Sequence, residues 1–143
     1  MVATKSPLIL AALLLAILGA PAQAQTTAST PTEFQTALAT QARQTNPAFK
    51  SFSAERGQAF FTATHGNDWS CSTCHTRNPA QPGAHDKTKK PIDPLAPSAN
   101  PRRFTDAAKV DKWFRRNCKD VLARECTPEE KGDLLAYLLT VKP

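Results

Sequence analysis

Five consecutive residues restrict this chain more than any others: Cys71-Ser72-Thr73-Cys74-His75. Two cysteines three positions apart lie on one turn of chain, so both thiols can add to the two vinyl groups on one edge of a haem. The adjoining His75 is then delivered beneath the ring, where its imidazole can bind iron. A redox-active C-x-x-C would be expected beside a strand-to-helix crossover, and a zinc site would need two more ligands at a matching short spacing. The sequence supplies neither. A covalent haem also supplies an apolar centre to a chain too short and too rich in loop to build a thick core of its own.

The compartment is read from the N-terminus and from the other cysteines. Lys5, the apolar run Leu8–Leu18, Gly19, Pro21 and Ala22-Gln23-Ala24 form the pattern of a cleaved signal peptide, residues 1–24. Its apolar core of about a dozen residues falls short of the ~20 needed to cross a bilayer. Cleavage would leave Gln25–Pro143, with no further segment apolar enough to span, so the expected product is an exported, soluble, periplasmic protein. The formal charge of +6 falls to +5 when Lys5 leaves. A basic balance can signal nucleic acid, but an exported protein rarely meets any, and the aromatic residues lie at helical spacing instead of interleaving with the charges. No nucleic-acid partner is expected; acidic partners are favoured.

The chain reads as helical with one long irregular segment. Residues 25–52 form an N-terminal extension with a helix over Glu33–Arg43, stopped at Asn46-Pro47. Ser53 caps a second helix, with Gly57, Phe60 and Phe61 on one face, ended by Gly66-Asn67. Between Asn78 and Pro101 lie six prolines, too many for a helix or a central strand. A third helix, capped by Thr105, carries Val110, Trp113, Phe114 and Asn117 on one face. Thr127-Pro128-Glu129-Glu130 starts the last helix. No alternating strand pattern is visible.

The iron's other face is the open question. The only methionine is Met1, so if it leaves with the signal peptide, thioether ligation within the mature chain is excluded. His65, His85, a lysine, an oxygen donor such as Asn117, or no ligand at all remain. Asn117 is the polar continuation of the Val110, Trp113, Phe114 stripe; a local hydrogen bond or exposure would account for it equally well. Cys118 follows it directly, and a Cys118–Cys126 disulfide would tether this helix to the last one; the alternative is two free thiols.

Together, C-S-T-C-H, P-L-A-P-S-A-N-P-R-R-F-T-D, V-D-K-W-F-R-R-N-C-K-D-V and C-T-P-E-E-K-G-D-L-L-A-Y-L resemble the sphaeroides haem protein family of high-spin monohaem cytochromes c, over about Glu55–Leu139. The resemblance implies an all-α class I cytochrome c fold, here residues 53–143, around one covalent haem c. It places an asparagine sixth ligand of ferric iron at Asn117 and a disulfide at Cys118–Cys126. It further implies that asparagine leaves on reduction, so that ferrous haem binds oxygen, nitric oxide or carbon monoxide, with a dihaem cytochrome c and a membrane cytochrome b as redox partners.

The helices near 53–64 and 127–140 are expected to pack as a pair at Gly57, with Phe60, Phe61, Tyr137 and Leu138 in contact. Trp113, Phe114, Ile92 and Leu95 are expected to cover the haem, and the Pro94 carbonyl to receive the His75 ring proton. The competing functions are a plain electron carrier with a His or Lys sixth ligand, and a peroxidase or reductase. The latter would need a distal acid-base group such as His65, and no acid-base pair is visible.

Overall fold

A computed structural model describes Met1 and residues 29–143; apart from Met1, the segment read as a signal peptide lies outside them. The elements, in order, are α1 (Pro31–Thr45), α2 (Ala54–Thr62), α3 (Cys71–His75), β1 (Gly83–Ala84), β2 (Pro91–Ile92), α4 (Ala107–Leu122) and α5 (Pro128–Thr140). The fold is all-α, with the two short strands paired antiparallel, Gly83 opposite Ile92. This ladder departs from the expectation of no strands. Two residues a side are too few to alternate, so the sequence carried no period-two signal.

Each helix starts where a side chain can take up an orphan N–H. Thr30 and Glu33 form a reciprocal capping box, which starts α1 two residues before the expected Glu33. Ser53 caps α2 by accepting from Arg56 N, and Thr127 with Glu130 boxes the start of α5. The cap of α4 is Asp106, not Thr105: an Asp106 carboxylate oxygen accepts from Lys109 N at 3.0 Å, while the Thr105 hydroxyl is turned to Arg102 O. At its far end α4 stops on Ala123 with φ of 60°.

The tightest junction is between α2 and α5. A Cβ on Gly57 would run into the backbone carbonyl of Asp133, so this glycine is required for the approach, and one on Gly132 would meet the ring of Phe52 just ahead of α2. The Asp133 carboxylate, buried at the crossing, accepts from Ser53 N at 2.7 Å and from Arg56 Nε and Nη2 at 2.7 and 2.8 Å. Both carboxylate oxygens are thereby hydrogen-bonded, which is the condition for burying a charge. Phe61, Leu135 and Leu138 are fully buried, and Phe61 meets Tyr137 at 5.6 Å between ring centroids. Phe60 does not share that burial: it is half-buried and turned toward a cavity and His65.

The other helices attach around this pair. α1 lies on α5 and sends Phe34 against Phe114 of α4, 6.4 Å apart and nearly parallel. The 78–101 segment folds back on itself through hydrogen bonds from Leu95 N and Ala96 N to Pro79 O. Among the described residues no helix is long and apolar enough to cross a membrane.

Candidate haem-binding site

The short helix α3 is fixed at both ends. Ser70 caps it, with Thr73 returning the bond to Ser70 N, and His75 ends it because Thr76 leaves the helix at φ of 60°. Gly83 of β1 lies directly against the Cys74 carbonyl, where a Cβ would collide with the oxygen. The proline-rich segment is thus pinned against α3 at a glycine, and Asp86 N reaches Cys74 Sγ at 3.4 Å.

Cys71, Cys74 and His75 face a cavity of about 670 Å³. That volume lies within the 300–1,000 Å³ range of small-molecule and cofactor pockets. It is lined by Leu134 and Leu138 of α5, by Ile92, Leu95 and Phe104, and by a wall of Val110, Trp113, Phe114 and Asn117 from α4. Every residue expected to contact the cofactor therefore lines one cavity. Asn117 and Trp113 are exposed on that wall, Trp113 by 44% of its surface, and Phe114 is buried. Cys118 is disulfide-bonded to Cys126, with Cα atoms 5.6 Å apart, and both line the same cavity.

The chemistry of the donor set fits a covalent haem. Neither Cys71 nor Cys74 is in a disulfide. Burial pushes the Cys71 thiol up to about 11. Burial, with help from the charge of Arg103, lowers the His75 imidazolium to about 4, so at neutral pH the ring is in the form that can ligate. Among the described residues no three His, Cys, Asp or Glu side chains come together to hold a metal ion. The walls are mainly apolar, with polar and basic groups at the edge, including Lys90, Asn100, Arg102 and Arg103, as a flat apolar ring with carboxylate side arms requires.

The Pro94 carbonyl has other partners than expected. It accepts from Arg103 Nε at 2.9 Å and Asn100 Nδ2 at 3.4 Å, while Arg103 Nη2 donates to Asp93 O at 2.6 Å. Arg103 is the residue sequence reading missed. Its guanidinium is half-buried and destabilised by that burial, in spite of nearby Asp93, and it lines the cavity within electrostatic reach of His75. Only its position in P-R-R-F, just past the proline-rich segment, hinted at it. Of the histidines, His65 has Nε2 2.9 Å from Phe60 O and its ring against Phe60. His85 lies at the cavity edge in the β1–β2 turn, its Nδ1 accepting from Thr88 N at 3.3 Å.

Comparison with known proteins agrees with this site. Residues 47–138 match the family described as a domain of unknown function (DUF1924). Over 89 residues the chain is 52% identical to cytochrome c-type protein SHP of Cereibacter sphaeroides, covering 59% of this chain and 68% of that protein. The structure of oxidized SHP, described as an oxygen-binding cytochrome c, superposes with a TM-score of 0.70 at 41% identity, covering 78% of this chain and 96% of that one. Cytochrome c'' of Methylophilus methylotrophus superposes with a TM-score of 0.73 in its oxidized crystal form at 37% identity, covering 79% and 95% of the two chains. Its solution structure, also 37% identical, with a TM-score of 0.70 and 79% and 94% covered, is presented with insights into haem-ligand detachment.

Fold, cavity and relatives define the class: a monohaem c-type cytochrome with one covalent haem c. Within it, the chain belongs to the family of the SHP cytochromes.

Proposed function

We propose that this is a periplasmic monohaem cytochrome c whose iron carries Asn117 as a weak sixth ligand, released on reduction to admit a small diatomic molecule. Bound haem c supplies a one-electron redox centre and a coordination position for that molecule. Cys71 and Cys74 would hold the cofactor through thioethers, His75 would supply an imidazole ligand to its iron, and Ile92, Leu95, Trp113 and Phe114 would pack against it. Asn117 presents an amide oxygen, a hard donor that suits ferric iron better than ferrous, so it holds on in the oxidised state and lets go in the reduced one. Oxygen, nitric oxide and carbon monoxide are the ligands this arrangement would admit, with electrons exchanged with a dihaem cytochrome c and a membrane cytochrome b.

The observation that carries the reading is that Asn117 lines the same cavity as Cys71, Cys74 and His75, one helical turn beyond Trp113 and next to a disulfide that restrains the end of α4. Two further facts support it. Met1, in the segment read as a signal peptide, is the only methionine. His65, which could have acted as ligand or as an acid-base group, has its ring nitrogen on the Phe60 carbonyl. The relative SHP is described as oxygen-binding, and work on cytochrome c'' concerns detachment of a haem ligand.

The test is the visible spectrum of the purified haem protein, ferric and ferrous, with and without carbon monoxide, in the parent and in Asn117→Ala. The expected result is a high-spin ferrous form that takes up carbon monoxide rapidly, and a ferric spectrum altered by the substitution. A plain electron carrier is the competing reading, and it draws on His85, Lys90 and Lys109, which also line the cavity. Sharp low-spin ferrous bands unmoved by carbon monoxide would assign the sixth position to one of those residues.

A further inference from the structure

The last turn of α4 is gripped from outside by the turn that leads into the haem-attachment helix. Asn67 Nδ2 donates to the carbonyls of Lys119 at 3.2 Å and Asp120 at 2.9 Å, and Asn67 N donates to Val121 O at 3.3 Å. Gly66 lies against Leu122 O, where a Cβ would be only 3.1 Å away. The four carbonyls at the end of a helix have no partner within it. The left-handed C-cap Ala123 returns its N–H to Lys119 O, and Asn67 takes the next two, so one residue from outside the helix completes the cap.

The gripping turn is itself closed. His65 N donates to Trp69 O and Asp68 N to His65 O, and Ser70, the cap of α3, follows at once. A continuous set of short-range bonds therefore runs from Cys71, through Ser70 and the 65–69 turn, to the carbonyls of Lys119, Asp120 and Val121. These lie two to four residues beyond Asn117. On the other side of that turn, Cys118 is joined to Cys126 at the start of α5. The end of α4 is thus held at two points, one covalent and one made of hydrogen bonds to the segment that carries the proximal ligand.

We propose that Asn67 is a positioning residue for the sixth ligand: it fixes the height of Asn117 over the haem by clasping the last turn of α4 to the attachment segment. This inference rests on the reading of Asn117 given above. With both restraints in place the helix end cannot lift, so detachment is a rotation of the Asn117 side chain. With Asn67 lost the helix end gains freedom, and the amide spends less time at bonding distance.

The discriminating variant is Asn67→Asp, which keeps the shape but replaces the donor by an acceptor facing two carbonyl oxygens. Asn67→Ala is the second variant, and Asn117→Ala the reference. Three quantities are read on the holoprotein: the ferric visible spectrum, the rate at which cyanide binds the ferric form, and the thermal midpoint. Both Asn67 variants should shift the ferric spectrum toward that of Asn117→Ala and raise the cyanide rate by about threefold to tenfold, the range expected for losing one or two ordinary hydrogen bonds. A lowered midpoint with an unchanged ferric spectrum and cyanide rate would make Asn67 a helix cap alone and overturn the proposal. If Asn117→Ala itself leaves the ferric spectrum unchanged, the sixth-ligand reading fails first, and this inference with it.

Discussion

The α2–α5 junction and the α4 wall are built on opposite principles. At the junction two helices meet backbone to backbone: Gly57 lies against the Asp133 carbonyl, Arg56 and Ser53 satisfy the buried Asp133 carboxylate, and Phe61, Leu135 and Leu138 have no exposed surface. α4 makes no comparably close helix contact. It borders the cavity, held through Phe114 between Phe34 and Phe104, through the disulfide at Cys118, and through the Asn67 clasp. Stability is concentrated where side chains fill all the space, and the cofactor sits where helices are kept apart. A wall that must face a ligand cannot be glued by its own apolar stripe, so it is restrained at its end instead.

Removing the aromatic at the centre of the junction should have the largest effect. Phe61→Ala is expected to cost about 4 kcal/mol in denaturant unfolding of the holoprotein, because a fully buried ring leaves a cavity that two close-packed helices cannot fill. A loss below about 1 kcal/mol would mean that the junction is not the stabilising region.

Next comes Gly57→Ala. The added methyl meets backbone, which cannot rotate away, so the helices must part, at an expected cost of about 3 kcal/mol, the upper part of the usual overpacking range. Thermal unfolding would check it, and a neutral or stabilising outcome would show that the crossing is looser than described.

On the α4 side, Cys118→Ser with Cys126→Ser should cost about 2.5 kcal/mol through restored freedom of the unfolded chain. The comparison is sharpened by a second readout. The disulfide variant should also change the ferric spectrum, whereas Gly57→Ala, remote from α4, should leave the spectrum of the folded fraction as it was.

The smallest effect is a pH-dependent one at the start of α5. Burial alone would raise the Glu130 carboxyl, but the Arg124 guanidinium and the Thr127 N–H and hydroxyl outweigh it and hold Glu130 below its ordinary value. A depressed folded-state pKa adds stability above the unfolded value of about 4.3, and that stability is lost as pH falls through the folded value. Glu130→Gln should therefore cost about 1 kcal/mol or less at pH 7, Arg124 being half exposed, with the deficit closing as the solution is acidified below about pH 4. A deficit that stays constant with pH would assign the effect to the capping geometry instead of the charge.

The attachment motif, four long helical stretches and the caps at Ser53 and Thr127 were legible in the residues because each depends on neighbours within about one helical turn. The α4 cap was misplaced by one residue, since Thr105 and Asp106 are both good caps and only the backbone path out of the preceding turn decides between them. The partner of the Pro94 carbonyl was likewise missed, because nine residues separate it from Arg103 and nothing local links them.

By itself the sequence determined the covalent cofactor chemistry and the all-helical class, because these are set by residue type and spacing along a few turns of chain. Only the tertiary structure decided that Asn117, Trp113, Ile92 and Leu95 line the same cavity as His75, that Arg103 sits beside it, and that Asn67 clasps the end of α4. Those relations join residues tens of positions apart, and the geometry that joins them is fixed by how closely α2 and α5 pack and how far α4 is held from them.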